Sequence, residues 1–172
     1  MYFERVVKKY IESPKSFKSD EQKIMLLYSG IFLQGYQNEH LDSLEDLAET
    51  FLDSGFIDKS IKLSKKCLTI FPVSVKANYI LWNAYEDKNM KDSSNYYFDR
   101  LNVMLLAMMD TGYLGDKKQP TLAYDDNSIE TYLGTVVVGR EYLDKKYTDR
   151  KGNTIIIYRH GIGNPIFIIP KK

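Results

Sequence analysis

A single cysteine, Cys67, in 172 residues is too little for an internal disulfide, a cysteine-rich metal site or a secreted disulfide scaffold. Histidine is nearly as scarce. His40 and His160 each lack a second His or Cys at metal-ligand spacing, so both are expected as solvent-facing turn residues. No stretch approaches the roughly 20 apolar residues of a membrane-crossing helix. Charge of one sign is also missing: 24 Lys and Arg against 23 Asp and Glu leave a net +1, with no general attraction for a polyanion such as nucleic acid. Gly161-x-Gly163 lacks the third glycine and the strand-to-helix setting of a dinucleotide loop, and no phosphate loop, nucleophile elbow or Cys-His pair occurs. The sequence therefore offers no catalytic residue, no metal site and no cofactor.

What is present is ordinary globular material, 44% apolar and 27% charged. A chain of this length removes roughly two thirds of its extended surface from water, enough for one core, so 1–172 is expected as a single domain. The aromatic share of 13%, with 14 Tyr and 8 Phe, suits the edge of a core or a contact surface. Cys67 stands in helical, apolar surroundings that suit an inert buried thiol. The opening Met1-Tyr2-Phe3-Glu4-Arg5 lacks the charged-then-apolar pattern of an export signal. The cytoplasm is expected if Met1 is the native start, and the periplasm or cell surface if such a signal was removed.

The fold class expected is α+β, mainly α, with about six helices in 1–112. Phe3, Val6, Val7, Tyr10 and Ile11 recur at helical spacing up to Pro14, and Ser19 with Gln22 predicts a capping box opening a second helix that runs to about Gln34. Gly30, inside it, reads as a point of close packing. From Leu41, two successive units fit the 34-residue frame of the tetratricopeptide repeat. The first sets Leu47, Phe51, Gly55, Leu68 and Pro72 in its slots; the second sets Ala77, Leu81, Tyr85, Phe98 and Leu101, with Asn89 in place of the glycine. Gly55 and Asn89 both tolerate the positive φ that a tight inter-helix turn requires. Asp42 with Glu45, and Asp92, are expected to cap helix N-termini. Ser60 and Ser94 replace the alanine usual where paired helices approach. The last helix overruns its frame to Gly112, with Met104, Met108 and Met109 expected in the core.

Residues 113–131 carry no periodicity and are expected as a long loop, in which Asp125, Asp126 and Glu130 lack the alternating oxygens of a calcium loop and read as a solvated acidic turn. From 132 the pattern turns to β-branched runs. Three strands are expected, Thr135–Tyr142, Thr154–Tyr158 and Ile166–Ile169, forming a small antiparallel meander that packs on the helices.

Phe3-Glu4-Arg5-Val6-Val7 with Ser13-Pro14, Leu26-Leu27-Tyr28-Ser29-Gly30-Ile31-Phe32, Phe98-Asp99-Arg100-Leu101-Asn102 running on to Asp110-Thr111-Gly112, and Val136-Val137-Val138 with Glu141-Tyr142 together resemble an uncharacterised bacterial family, domain of unknown function 4919. The resemblance covers nearly the whole chain. It implies a helical repeat region joined to a short β segment, and relatives that often carry an export or lipoprotein signal. The family has no established activity, so it transfers no catalytic residue.

The functional expectation is a scaffold that presents the inner face of its repeats to a protein or peptide through Glu45, Glu49, Lys76, Tyr79, Asn83 and Glu86. The rival from another class is a small-ligand-binding protein or enzyme with its site between helices and sheet, under 113–131 and lined by Arg140, Glu141 or His160.

Overall fold

The computed structural model describes residues 2–33, 35–112, 118–136, 142–159 and 164–171. It opens with α1 (Tyr2–Glu12), whose apolar stripe buries Val7 and Tyr10. Pro14 begins a single 3-10 turn, and α2 (Asp20–Ile31) follows. Ser19 Oγ accepts from the Gln22 amide at 3.4 Å, whereas Gln22 Oε1 accepts from the Lys18 amide at 3.2 Å, so the expected capping box is displaced by one residue on its return arm. α2 stops at Ile31, short of the expected end; Gln34 itself lies outside the described residues.

Four helices occupy the repeat frame: α3 (Glu39–Asp53), α4 (Ile57–Ile70), α5 (Val75–Asp87) and α6 (Lys91–Thr111). Gly55 and Asn89 take φ of +77° and +56° in the turns that close the two hairpins. Each helix packs chiefly on the next. Ser60 and Ser94 are fully buried where the helices meet, serving as the small residues. The caps differ from expectation. Asn38 accepts from the His40 amide at 3.0 Å, which puts His40 in the first turn of α3 and Asp42 and Glu45 inside it. No side chain caps α6; Asp92 stands in its first turn, where its charge favours the amide end of the helix dipole.

The first hairpin also departs at Leu47, which is 45% exposed, while Leu81 and Tyr85 are buried. A repeat leucine at that slot is covered by a preceding hairpin, but α1 and α2 pack together and α2 lies on α6, leaving the outer side of α3 in solvent. The overrun of α6 is what receives α2: Met104 and Met108 are fully buried, whereas Met109 is exposed.

Beyond Gly112 the expected loop contains structure. β1 (Thr121–Leu122) and α7 (Asp126–Val136) fold within it, so Thr135 and Val136 are helical, not the start of a strand. Asp125 Oδ1 accepts from the Ser128 amide at 2.6 Å and Ser128 Oγ accepts from the Tyr124 and Asp125 amides, a reciprocal cap that starts α7. The supposed solvated turn is that cap. Thr131 and Thr135 donate to the carbonyls four residues back, which accommodates β-branched side chains in a helix, and Ile129, Tyr132 and Leu133 bury one face.

The strands that follow are β2 (Tyr142–Thr148), β3 (Thr154–Arg159) and β4 (Ile166–Ile169). β2 begins where the expected first strand was to end; 137–141 lie outside the described residues. The β2–β3 turn is built on Asp149, whose Oδ1 accepts from the Lys151 and Asn153 amides at 2.8 and 2.9 Å. The sheet has four strands in the order β1-β4-β3-β2, with β1 parallel to β4 through Thr121 and Phe167. It is therefore mixed and not a pure meander. The protein is α+β and mainly helical, with seven α-helices among the described residues, and one apolar cluster runs from Val7 of α1 through Tyr124 to Ile169 of β4.

Candidate functional site

The spacing of Glu45 and Glu49 on α3, and of Lys76, Tyr79, Asn83 and Glu86 on α5, puts each set along one helix face. α7 packs against α5 beside that face, and its Asn127 divides the six residues into an enclosed group and an open one.

Glu45 is enclosed, only 1% exposed. Ser74, the N-cap of α5, donates its hydroxyl to Glu45 Oε1 and accepts from the Ala77 amide; Asn127 Nδ2 donates to Glu45 Oε2 at 3.0 Å. Burial, reinforced by the Asp125 carboxylate, pushes the Glu45 carboxyl up to about 8 against the opposing pull of those two donors. Lys76 is 5% exposed, with Nζ 2.8 Å from both Asp46 Oδ1 and Glu49 Oε2 and 3.4 Å from Asn127 Oδ1. Burial pulls the Lys76 ammonium down, but those carboxylates outweigh it and hold it above its ordinary value. The ammonium is buried while both carboxylates reach it from the surface, so the pairing is a structural joint first: removing the carboxylates would strand the Lys76 charge.

Glu49, Lys76 and Tyr79 line an open cleft of about 190 Å³ whose other wall is Glu130, Thr131, Gly134 and Thr135 of α7. Tyr79 stands edge-on to Trp82 at 6.0 Å, and Trp82 meets the exposed Phe98 at 5.2 Å, so an aromatic row leads away from the cleft. Asn83 Nδ2 donates to the Tyr79 carbonyl at 3.1 Å, and Glu86 binds Ser94 and Lys91; neither lines the cleft. Gly134 leaves open space where a side chain would project.

The helix–sheet junction contains a larger cleft of about 380 Å³, lined by Asp42, Asp125 and Asp126 with Lys146 of β2 and Thr154 of β3. Asp126 pairs with Lys146. Burial raises Asp42, aided by Asp126 and Asp46, and lifts Asp125 to about 6 against the Ser128 amide. Arg140, Glu141 and His160, expected to mark this junction, lie outside the described residues. Asn127 and Glu130 were missed as site residues, although the Asp125-x-x-Ser128 cap was in the sequence to reveal the helix that carries them. Cys67 is fully buried, and burial with the nearby Glu45 pushes its thiol up to about 12, which suits the inert role expected. Among the described residues no group of His, Cys, Asp and Glu is arranged to hold a metal ion, and no helix is long and apolar enough to cross a membrane.

These features define a mainly helical α+β protein whose inner helical face is partly closed by its own seventh helix, leaving open clefts on either side. The family model for a domain of unknown function, DUF4919, matches residues 1–130, and the chain belongs to that family. The match takes in α1 to α6, β1 and the first turns of α7. No curated protein and no solved structure matches the chain.

Proposed function

We propose that this chain is a non-enzymatic binding module, a single folding unit built on two tetratricopeptide-like hairpins, that holds a protein or peptide segment in the cleft between α3, α5 and α7. The observation that carries this reading is the convergence of Glu49, Lys76 and Tyr79 on one open cleft continuous with the Tyr79–Trp82–Phe98 row. Aromatic anchors beside a charged rim are the composition of energetic centres in protein interfaces. Of the six residues expected to touch a partner, Glu49 and Tyr79 are the accessible contacts in the cleft, Lys76 orients Glu49, Glu45 holds α7 in place, and Asn83 and Glu86 stand outside the cleft.

A photo-activatable benzoylphenylalanine at position 79 tests this. It is expected to form one discrete adduct in cells of the native host. Gly134→Phe, which fills the cleft, removes that adduct, while Gly134→Ala keeps it and stabilises α7 by up to about 1 kcal/mol. Diffuse labelling, or an adduct indifferent to Gly134→Phe, contradicts the proposal.

The size of the junction cleft favours a second reading, a pocket for a small organic cation. Three carboxylates there face one lysine, and ligands favour the larger concavity. Putrescine is then expected to raise the unfolding midpoint in the wild type and not in Asp42→Asn; equal midpoints with and without the diamine dismiss the reading.

A further inference from the structure

The surface formed by α1 and α2 is unlike the rest of the helical region. Tyr2, Met25, Tyr28 and Phe32 are all exposed, Phe32 to 63%, and they are contiguous: Tyr2 donates its hydroxyl to Met25 Sδ at 2.8 Å and Phe3 stacks on Phe32 at 4.5 Å. Met25, Tyr28 and Phe32 recur at i, i+3 and i+7 on the solvent side of α2, a stripe about 10 Å long. α2 already has a separate buried side, with Leu26, Leu27, Gly30 and Ile31 turned to the core. The outer stripe is therefore additional to what folding needs. Contiguous exposed apolar surface on a soluble helical face marks an interaction site.

Between the two helices this surface sinks into a groove of about 330 Å³, with Val6, Phe17 and Met25 supplying apolar walls and Arg5 and Lys9 the only charges. Arg5 and Lys9 are four residues apart, hence one turn apart on the same side of α1. Lys9 Nζ lies 5.3 Å above the Phe17 ring, and among the described residues neither cation has a carboxylate partner, whereas the adjacent Lys8 is matched to Glu12 at 3.7 Å. An apolar groove with two uncompensated cations on one wall is complementary to one kind of occupant. It fits an amphipathic helix whose apolar side chains enter the groove and whose carboxylates, also one turn apart, reach the two cations. An anionic bilayer is a poorer match, since the opening is a concave groove and not a flat face.

We propose that the α1–α2 groove is a docking site for an acidic amphipathic helical segment of a partner protein, with Arg5 and Lys9 selecting for its carboxylates. This site is separate from the α3–α5–α7 cleft and stands whether or not that cleft binds anything.

Two fluorescein-labelled helical peptides of about four turns test it against the full chain by anisotropy. Both carry leucine at i, i+3 and i+7, and one carries glutamate and the other lysine at two edge positions one turn apart. The glutamate peptide is expected to bind saturably and about tenfold more tightly than the lysine peptide, as two exposed charge pairs allow. Arg5→Glu with Lys9→Glu is expected to reverse that order while the circular dichroism spectrum stays unchanged, and Met25→Asp to weaken both peptides. No saturable binding by the glutamate peptide, equal affinity for the two, or an order unaffected by the charge reversal overturns the proposal. So does sedimentation with phosphatidylserine vesicles, or a dimer lost in the charge-reversed variant, where the peptides do not bind; these assign the face to lipid or to a second copy.

Discussion

Tyr124→Ala is expected to lower the unfolding midpoint by roughly 10 °C or more. The ring is 1% exposed, packs edge-on to Phe71 at 5.0 Å and to Tyr36 at 6.0 Å, and donates its hydroxyl to the Leu27 carbonyl at 2.8 Å. It lies between β1 and α7 in the chain yet seats against α2, so its loss opens a cavity where the N-terminal helices meet the C-terminal part. Truncating a buried aromatic costs about 3–5 kcal/mol, and a chain of this length loses about 2–4 °C per kcal/mol. The same contact accounts for Gly30. A β-carbon there falls 2.2 Å from the Tyr124 hydroxyl and 2.5 Å from its ring, so Gly30→Ala is expected to cost about 1–3 kcal/mol by overpacking despite alanine's better helix propensity. Because the two residues share one contact, the double variant should be less destabilised than the sum of the singles. Urea titrations of the four proteins check this; strict additivity denies the contact.

Stability is expected to fall as pH rises from about 5 to 8. Glu45, at about 8 when folded, Asp125, at about 6, and the raised Asp42 all bind protons more readily in the folded state than in the unfolded chain. Their contribution is complete below the ordinary carboxylate range and is withdrawn as pH passes upward through the folded values. Glu45 dominates, at on the order of 1.4 kcal/mol per unit of pH, reduced in practice by relaxation around the charge. The surface carboxylates held low by their hydrogen-bond partners, Asp20, Glu86 and Asp149, act in the opposite sense and only at acid pH. Glu45→Gln keeps an acceptor for Asn127 and cannot ionise. It is expected to flatten the decline and to exceed the wild type in stability at pH 8. Denaturation curves at pH 5, 6.5 and 8 decide the matter, and parallel pH profiles for the two proteins contradict it.

What was legible in the sequence was local. The stripe of α1, the Ser19 cap, the positive φ of Gly55 and Asn89, the buried Met104 and Met108 and the inert Cys67 all follow from neighbours within a few residues. Elements whose identity depends on distant contacts were not. Thr131, Thr135 and Val136 favour a strand by propensity, but a capped helix with Ile129, Tyr132 and Leu133 turned inward outweighs it. β1 is two residues long and exists because Phe167 and Ile168 pair with it. Nothing near Leu47 shows that α1 and α2 pack on α6 and leave α3 uncovered.

The candidate site divides the same way. Helical register correctly aligned Glu45 with Glu49 and Lys76 with Tyr79, since that needs only the period of a helix. Enclosure of Glu45 depends on Asn127, 82 residues away, which no periodicity reports.

That enclosure decides which inner-face residues stand open to the cleft and which hold the protein together. The direct measurement is the titration of the Glu45 side-chain carboxyl carbon by NMR in the native protein. Closure of the face by α7 predicts a midpoint near 8; a midpoint near the ordinary value of 4.5 would place Glu45 in water and contradict the account.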